Sequence, residues 1–211
     1  MTAKIEKGIE IKPLEVETIE FWLVGDTSLI MHKWSTKAKE EMLSKQMKQK
    51  TSAKEAKDPE QQFRDAIYYY PGGGYGFPAD AFKACIVNSQ VKSAKAIDKT
   101  HARAAFHVMG EADDDSRQLV RIYGEPVKRQ DMVRIQQTTD IRFRPEFKKW
   151  SAKLIVRFRK DAISEFQLIN LYQTAGFSTG LGEWRPEKNG QHGMFHVAGP
   201  DEVTALNAAH S

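Results

Sequence analysis

The stretch Ala152-Lys153-Leu154-Ile155-Val156-Arg157-Phe158-Arg159 constrains the fold more than any other. Ala152, Leu154, Val156 and Phe158 occupy every second position, and Lys153, Ile155, Arg157 and Arg159 fill the places between. A period of two puts these sets on opposite faces of a strand, one against a core and one cationic. Ser164 and Gln167 then fit a capping box, with Ile163 and Leu168 placed for a hydrophobic staple. Leu168, Leu171, Tyr172 and Ala175 continue as an apolar stripe, so a helix is predicted from Ser164, with Gly176 ending it. A sheet with helices on one face and Arg/Lys on the other is a known route to single-stranded nucleic acid.

Gly176 to Val197, GFSTGLGEWRPEKNGQHGMFHV, follows as a glycine-rich loop and a short apolar strand from Met194. The loop holds the pair Gly180 and Gly182 and the side chains of Trp184, Arg185 and Lys188. Glycine lets another backbone approach closely, and exposed N–H groups beside cations suit phosphate oxygens. A tight hairpin whose glycines only turn the chain is the plainer alternative.

Upstream, Val16 to Val24 alternates as a strand, Gly25-Asp26-Thr27 is turn chemistry, and Ser28 to His32 resumes an apolar run. Residues 35–62 are dominated by Lys, Glu, Gln and Ala, which predicts a charged insertion: an exposed helix followed by a mobile loop, its lysines at 45, 48, 50, 54 and 57 facing water or phosphate. Tyr68-Tyr69-Tyr70 and Tyr75-Gly76-Phe77 flank a glycine turn, and Pro78-Ala79-Asp80 opens a helix to about Ser93. Residues 94–116 read as a variable connection, Leu119–Tyr123 and Met132–Ile135 as strand pieces, and the tail after Gly199-Pro200 as short and prone to fray. The strong elements are strand (16–24), helix (78–93), strand (118–135, in pieces), strand (152–159), helix (164–175) and strand (194–197). That order is βαββαβ, an α+β ferredoxin-like core in a single domain over 1–211 with large insertions.

The chain has 40% hydrophobic residues, enough for a substantial core. Its single Cys85, its charged N-terminus and the lack of any stretch of membrane-spanning length point to a reducing, cytoplasmic setting and no membrane partner. The formal net charge is only +4, yet residues 117–160 carry thirteen Lys/Arg against four acids, a local +9. A concentrated basic field attracts polyanions, nucleic acid first among them.

The loop GLGEWRPEKNGQHGMF, placed between the second helix and fourth strand of a ferredoxin-like core, resembles the signature of the RAMP superfamily, the RNA-binding proteins of CRISPR effector complexes. The closing pair here is Gly190-x-x-Gly193 rather than G-x-G, which leaves room for a remote phage-borne single-strand-binding relative. The small-residue turn Gly25–Leu29 is similarly placed to one that family often carries. The resemblance implies a single-strand-binding module that polymerises along RNA or single-stranded DNA, with segment 35–62 as a projecting lobe.

On this reading Arg142, Arg144, Lys153, Arg157 and Arg159 neutralise phosphates, joined by Arg185 and Lys188 from the loop with the backbones of Gly180 and Gly182. Trp184 or Tyr75 stacks bases, with Tyr68 and Tyr70 as further candidates. His32 is a phosphate contact or, in a rival reading as a metal-independent endoribonuclease, the general acid/base, with His101 and His107 behind it. His192 and His196 have a spacing that ligates metal on a helix, but they fall in loop and strand, so no metal, no cofactor and no catalytic residue is assigned. A structural or assembly subunit with a basic face toward protein is the remaining alternative.

Overall fold

The computed structural model describes residues 13–34, 36–48, 58–92, 98–135 and 138–210. In chain order its elements are β1 (Val16–Gly25), β2 (Leu29–Ile30), α1 (Thr36–Gln46), α2 (Pro59–Asp65), β3 (Tyr75–Pro78), α3 (Ala79–Lys92), α4 (Lys99–Ala105) and β4 (Phe106–Met109). There follow β5 (Glu111–Ala112), β6 (Gln118–Ile122), β7 (Pro126–Ile135), β8 (Thr138–Phe147), β9 (Ser151–Arg159), α5 (Glu165–Ser178), β10 (Phe195–Val197) and α6 (Pro200–Ala209). No helix among the described residues is long and apolar enough to cross a membrane.

The central sheet runs β10-β1-β9-β4, every neighbour antiparallel. Counted along the chain, its strands lie in the order 4-1-3-2, with α3 and α4 between the first and second and α5 between the third and fourth. This is the βαββαβ connectivity of a ferredoxin-like core. Its inner face follows the alternation of β9: Ala152, Leu154, Val156 and Phe158 are buried together with Phe21 and Leu23 of β1. Phe82 and Ile86 of α3 and Leu168, Leu171 and Tyr172 of α5 belong to the same core, where Phe21 meets Tyr172 edge-on at 5.0 Å.

Five sequence expectations change. The second core strand is Phe106–Met109, not the stretch 118–135: Phe106 and Val108 turn inward and the segment zips onto the free edge of β9. Residues 98–112, expected as a variable connection, therefore form α4, β4 and β5, with Asp98 capping α4 through the N–H groups of Thr100 and His101. The segment 118–135 instead divides between a small sheet, β3-β6-β5, and a long β7–β8 hairpin that β2 joins. The tail, expected to fray, is helix α6, with Pro200 in its first turn and the Glu202 side chain accepting from the Gly199 N–H. Lastly α5 runs through Gly176 to Ser178. In segment 35–62, α1 and α2 are formed, while residues 49–57, with most of the lysine run, and residues 1–12 lie outside the described residues.

Gly176 is in the helix because β10 leaves no room for a side chain: an added Cβ would sit 1.9 Å from Phe195 O and 2.8 Å from the Phe195 ring. Alanine normally favours a helix interior by about 1 kcal/mol over glycine. Overpacking against a backbone carbonyl costs about 1–3 kcal/mol, so the clash wins. Gly176→Ala is expected to lower the urea midpoint rather than raise it.

α6 is held partly by His196, whose Nδ1 lies 2.6 Å from Asp26 Oδ1 and whose Nε2 lies 3.1 Å from both Glu202 oxygens. Burial alone would lower this imidazole, but the two carboxylates outweigh it and its pKa rises above the ordinary 6.5. Only the imidazolium donates from both nitrogens. A histidine with a raised folded-state pKa stabilises fully below its unfolded pKa and loses that contribution as pH climbs through the folded value. Amide exchange of α6 is therefore expected to be slower near pH 6 than near pH 9 after correction for intrinsic rates, and His196→Ala should erase the difference.

Candidate nucleic-acid interface

The glycine loop is built by backbone contacts. Gly182 (φ +73) brings the chain against β2, where an added Cβ would stand 2.4 Å from Ile30 O, and Gly193 (φ +70) packs on Leu181, whose carbonyl would be 1.8 Å from such a Cβ. Around them Gly180 N–H donates to Ala175 O, Leu181 N–H to Gly193 O, Glu183 N–H to Ile30 O and Gly193 N–H to Ser28 O, all between 2.8 and 3.0 Å. The expected cradle of free N–H groups is therefore not formed at Gly180, and Gly182 serves close packing. Trp184 follows in the left-handed region (φ +55), 43% exposed as a residue and held by His192 N–H donating to Trp184 O at 3.0 Å.

Arg185, expected as a phosphate contact, braces this loop. Its Nη1 donates to Gly182 O at 2.9 Å and its Nε and Nη2 both donate to Glu187 Oε2. Lys188 is exposed in the following 3-10 turn (Pro186–Lys188) and has no ion pair among the described residues.

Two cavities of about 410 and 530 Å³ open on either side of His32 and share Glu183 as a wall. The smaller runs between the glycine loop and α3, over Tyr68, Phe77 and Leu181; the larger runs between α1, α2 and β8, past Trp34, Met42 and Phe143. His32 is half-buried at the junction, with Nε2 3.5 Å from Arg142 Nη1 and a buried Nδ1 that has no hydrogen-bond partner among the described residues. Burial first, then Arg144, holds its pKa below 6.5, so the ring is neutral at physiological pH.

Charge in the two cavities is balanced. The larger is lined by Lys33, Arg142 and Arg144 against Asp65, Asp140 and Glu183, the smaller by Arg117 and Arg185 against Asp80, Glu183 and Glu187. The open face of the central sheet is similar. Lys153 Nζ lies 2.7 Å from Glu20, Arg159 is paired with Asp161 and Lys160 with Glu17; on β8, in the neighbouring sheet, Arg142 lies 3.7 Å from Asp140. Arg157 is exposed and has no ion pair among the described residues.

Arg144 corrects the sequence reading outright: it is 4% exposed, with Nη1 donating to the buried Asp131 at 3.4 Å. Asp131 also accepts from Arg129 Nε at 2.7 Å, and Arg129 reaches Glu146, which accepts from Ser28 Oγ at 2.7 Å. His192 Nδ1 closes this network 2.8 Å from Ser28 Oγ. His192 and His196 thus serve different partners, and no group of three His, Cys, Asp or Glu among the described residues could hold a metal. His101 sits against Asp98 at the α4 cap, and His107 Nδ1 lies 3.2 Å from Lys83 Nζ.

Tyr75 is half-buried with its ring edge-on to Phe147 at 5.3 Å, and Tyr68 carries Arg117 over its face. Tyr69 is 52% exposed, and so is Trp34, which lines the larger cavity. Trp34 escaped the sequence reading. Its signal was a tryptophan set among His32, Lys33, Ser35, Thr36 and Lys37, at the head of a polar run.

No family model and no curated protein matches the chain. Among solved structures it is similar to a chain of the Type III-B Cmr-beta complex bound to cognate target RNA, at 10% identity and a TM-score of 0.48, covering 87% of this chain and 59% of that one. It is also similar to Cmr6 from Pyrococcus furiosus, at 10% identity and a TM-score of 0.40, covering 88% of this chain and 100% of that one.

The buried Arg144–Asp131 pair gives a clear separation of roles. Removing one member of a buried pair costs about 3–5 kcal/mol because the other charge is stranded. Asp131→Ala is expected to destabilise by that order in chemical denaturation. Below the unfolding transition, Arg144→Met should leave the salt dependence of nucleic-acid binding unchanged, which a phosphate contact would not.

Proposed function

We propose that this protein is a non-catalytic binder of single-stranded nucleic acid that lays unpaired bases in the double groove meeting at His32 and assembles along its ligand. The observation that carries the reading is the lining of that groove: apolar and aromatic walls, exposed Trp34, and opposite charges in balance. A neutral, aromatic groove offers little to a phosphate backbone and much to the flat faces and polar edges of bases, which a duplex keeps stacked inside. Arg157 and Lys188, the free cations of the sheet face and loop, supply the phosphate contacts. The resemblance of the glycine loop to the RAMP signature implies the same ligand class.

Side-by-side assembly is supported by α5, where Phe166 and Phe177 are 75% and 74% exposed. Their separation of eleven residues returns to the same helix face within about 20°, roughly 16 Å along the axis. The absence of catalysis is supported by the surroundings of His32, which lies between Arg142 and Arg144 and is hydrogen-bonded to no carboxylate or hydroxyl among the described residues.

Fluorescence anisotropy with single-stranded RNA, single-stranded DNA and duplex DNA tests the reading. Single strands are expected to bind and the duplex not, and Trp34→Ala should weaken binding by about 1–3 kcal/mol. Arg157→Ala should flatten the salt slope by about 0.7, one phosphate on a single strand. Duplex binding equal to single-strand binding would sink the proposal. RNA cleavage in EDTA that disappears with His32→Ala would replace it with the nuclease reading.

A further inference from the structure

One aromatic cluster has no part in the groove. Trp22 projects from β1 on the face of the sheet opposite α3 and α5, in register with Lys153, and lies outside the hydrophobic core cluster, yet it is only 4% exposed. Tyr123 covers one side of it at 5.2 Å between ring centroids, and α6 contributes to the rest of its burial. Asn207 Oδ1 accepts from Trp22 Nε1 at 2.9 Å, and the His210 ring stacks on Tyr123 at 4.1 Å and 29° and on Trp22 at 5.7 Å and 29°. On Tyr123 the Arg121 guanidinium also stands 5.2 Å from the ring centre.

The helix that provides this cover is lightly attached. No residue of α6 is buried; Val203 and Leu206, its apolar side chains toward the sheet, are only half-buried. Little apolar area therefore opposes its displacement. What it inserts is a planar nitrogen heterocycle, and what it satisfies is one N–H donor. Both are things an unpaired base supplies, a ring face for Tyr123 and Trp22 and a carbonyl or ring nitrogen for Trp22 Nε1. Lys153 and Arg121 stand beside the two rings, where the sugar-phosphate backbone of a stacked nucleotide would run.

We infer that the slot over the adjoining rings of Trp22 and Tyr123 is a second base-stacking site, for an unpaired nucleobase, which the His210 ring at the end of α6 occupies in this structure. The inference rests on the reading of the protein as a single-strand binder and adds to it a site that competes with an internal segment. Strand binding and α6 docking then exclude each other on this face, so the nucleic acid that fills the slot lifts α6 from the sheet.

The test uses the full chain and an adenine dodecanucleotide, single-stranded and fluorescently labelled, at pH 7.5. Asn207→Ala with His210→Ala removes the two contacts that fill the slot, both from exposed positions that leave the fold intact. The double variant is expected to bind about tenfold tighter than the natural protein, the equivalent of freeing one stacking contact. Adding Tyr123→Leu, which keeps bulk and removes the ring face, should abolish the gain. Equal binding by the natural protein and the double variant would overturn the slot and leave the groove standing. A gain that survives Tyr123→Leu would also overturn it. No binding by either protein would remove both the slot and the single-strand reading.

Discussion

The pairing of β1 with β9 sets everything else in this protein. Nine successive residue pairs, from Val16 with Arg159 to Val24 with Ser151, fix which side chains of both strands face the helices. A slip of one residue would drive Arg157 and Lys153 into the space now filled by Val156 and Leu154, and bring Trp22 inward in place of Phe21 and Leu23. The cost of burying those charges unpaired is far larger than any local preference along the strands. The register is therefore specified by burial, and the positions of β10, β4 and both helical layers follow from it.

The same register explains why much of a local +9 is paired off at the surface. Glu20 stands beside Lys153 because the antiparallel pairing brings Glu20 opposite Ile155 and Trp22 opposite Lys153, within one step along the strand. Lys160 reaches Glu17 across the same pair of strands, and Lys128 reaches Glu60 of α2 from the hairpin. Charge counted along a sequence sees only neighbours in the chain, whereas these acids come from 68 to 143 residues away in sequence or from the next strand. Among the described residues of that stretch, Arg121, Lys148, Lys149 and Arg157 are exposed cations without an ion pair. The groove at His32, where opposite charges balance, is where the proposed contact with base faces and edges falls.

Elements with a clear period were legible: β1, β9, the capped helix α5 and the closing strand β10 stand where their patterns put them. The second core strand was not, because Phe106–Met109 is four residues long and follows a helix without a break, while the longer apolar runs at 118–135 compete for the same role. What decides between them is the free edge of β9, which no local pattern reveals. The site was legible in its residue types but not in their use. Arg144 and Arg185 read as surface cations and are structural braces; Trp22 read as one more alternating strand residue and is the floor of a covered slot. Partners distant in sequence made each of these assignments.

The glycine loop shows how a binding signature can be a packing signature. A phosphate cradle needs N–H groups that point at solvent, but those of Gly180, Leu181, Glu183 and Gly193 are all donated to carbonyls of the protein. The glycines are required for another reason: the loop folds onto β2 and back onto itself at distances that admit no Cβ at Gly182, Gly190 or Gly193. Replacement of any of them by a larger residue would open the loop before it touched a ligand. The closing pair can consequently vary in spacing, as Gly190-x-x-Gly193 does here, provided that each glycine still lies under a carbonyl. What the loop contributes to the proposed groove is position. By tying the end of α5 to β2 it holds Glu183 between the two cavities and presents Trp184 to solvent, so the groove at His32 exists only because the glycines let the backbone close behind it.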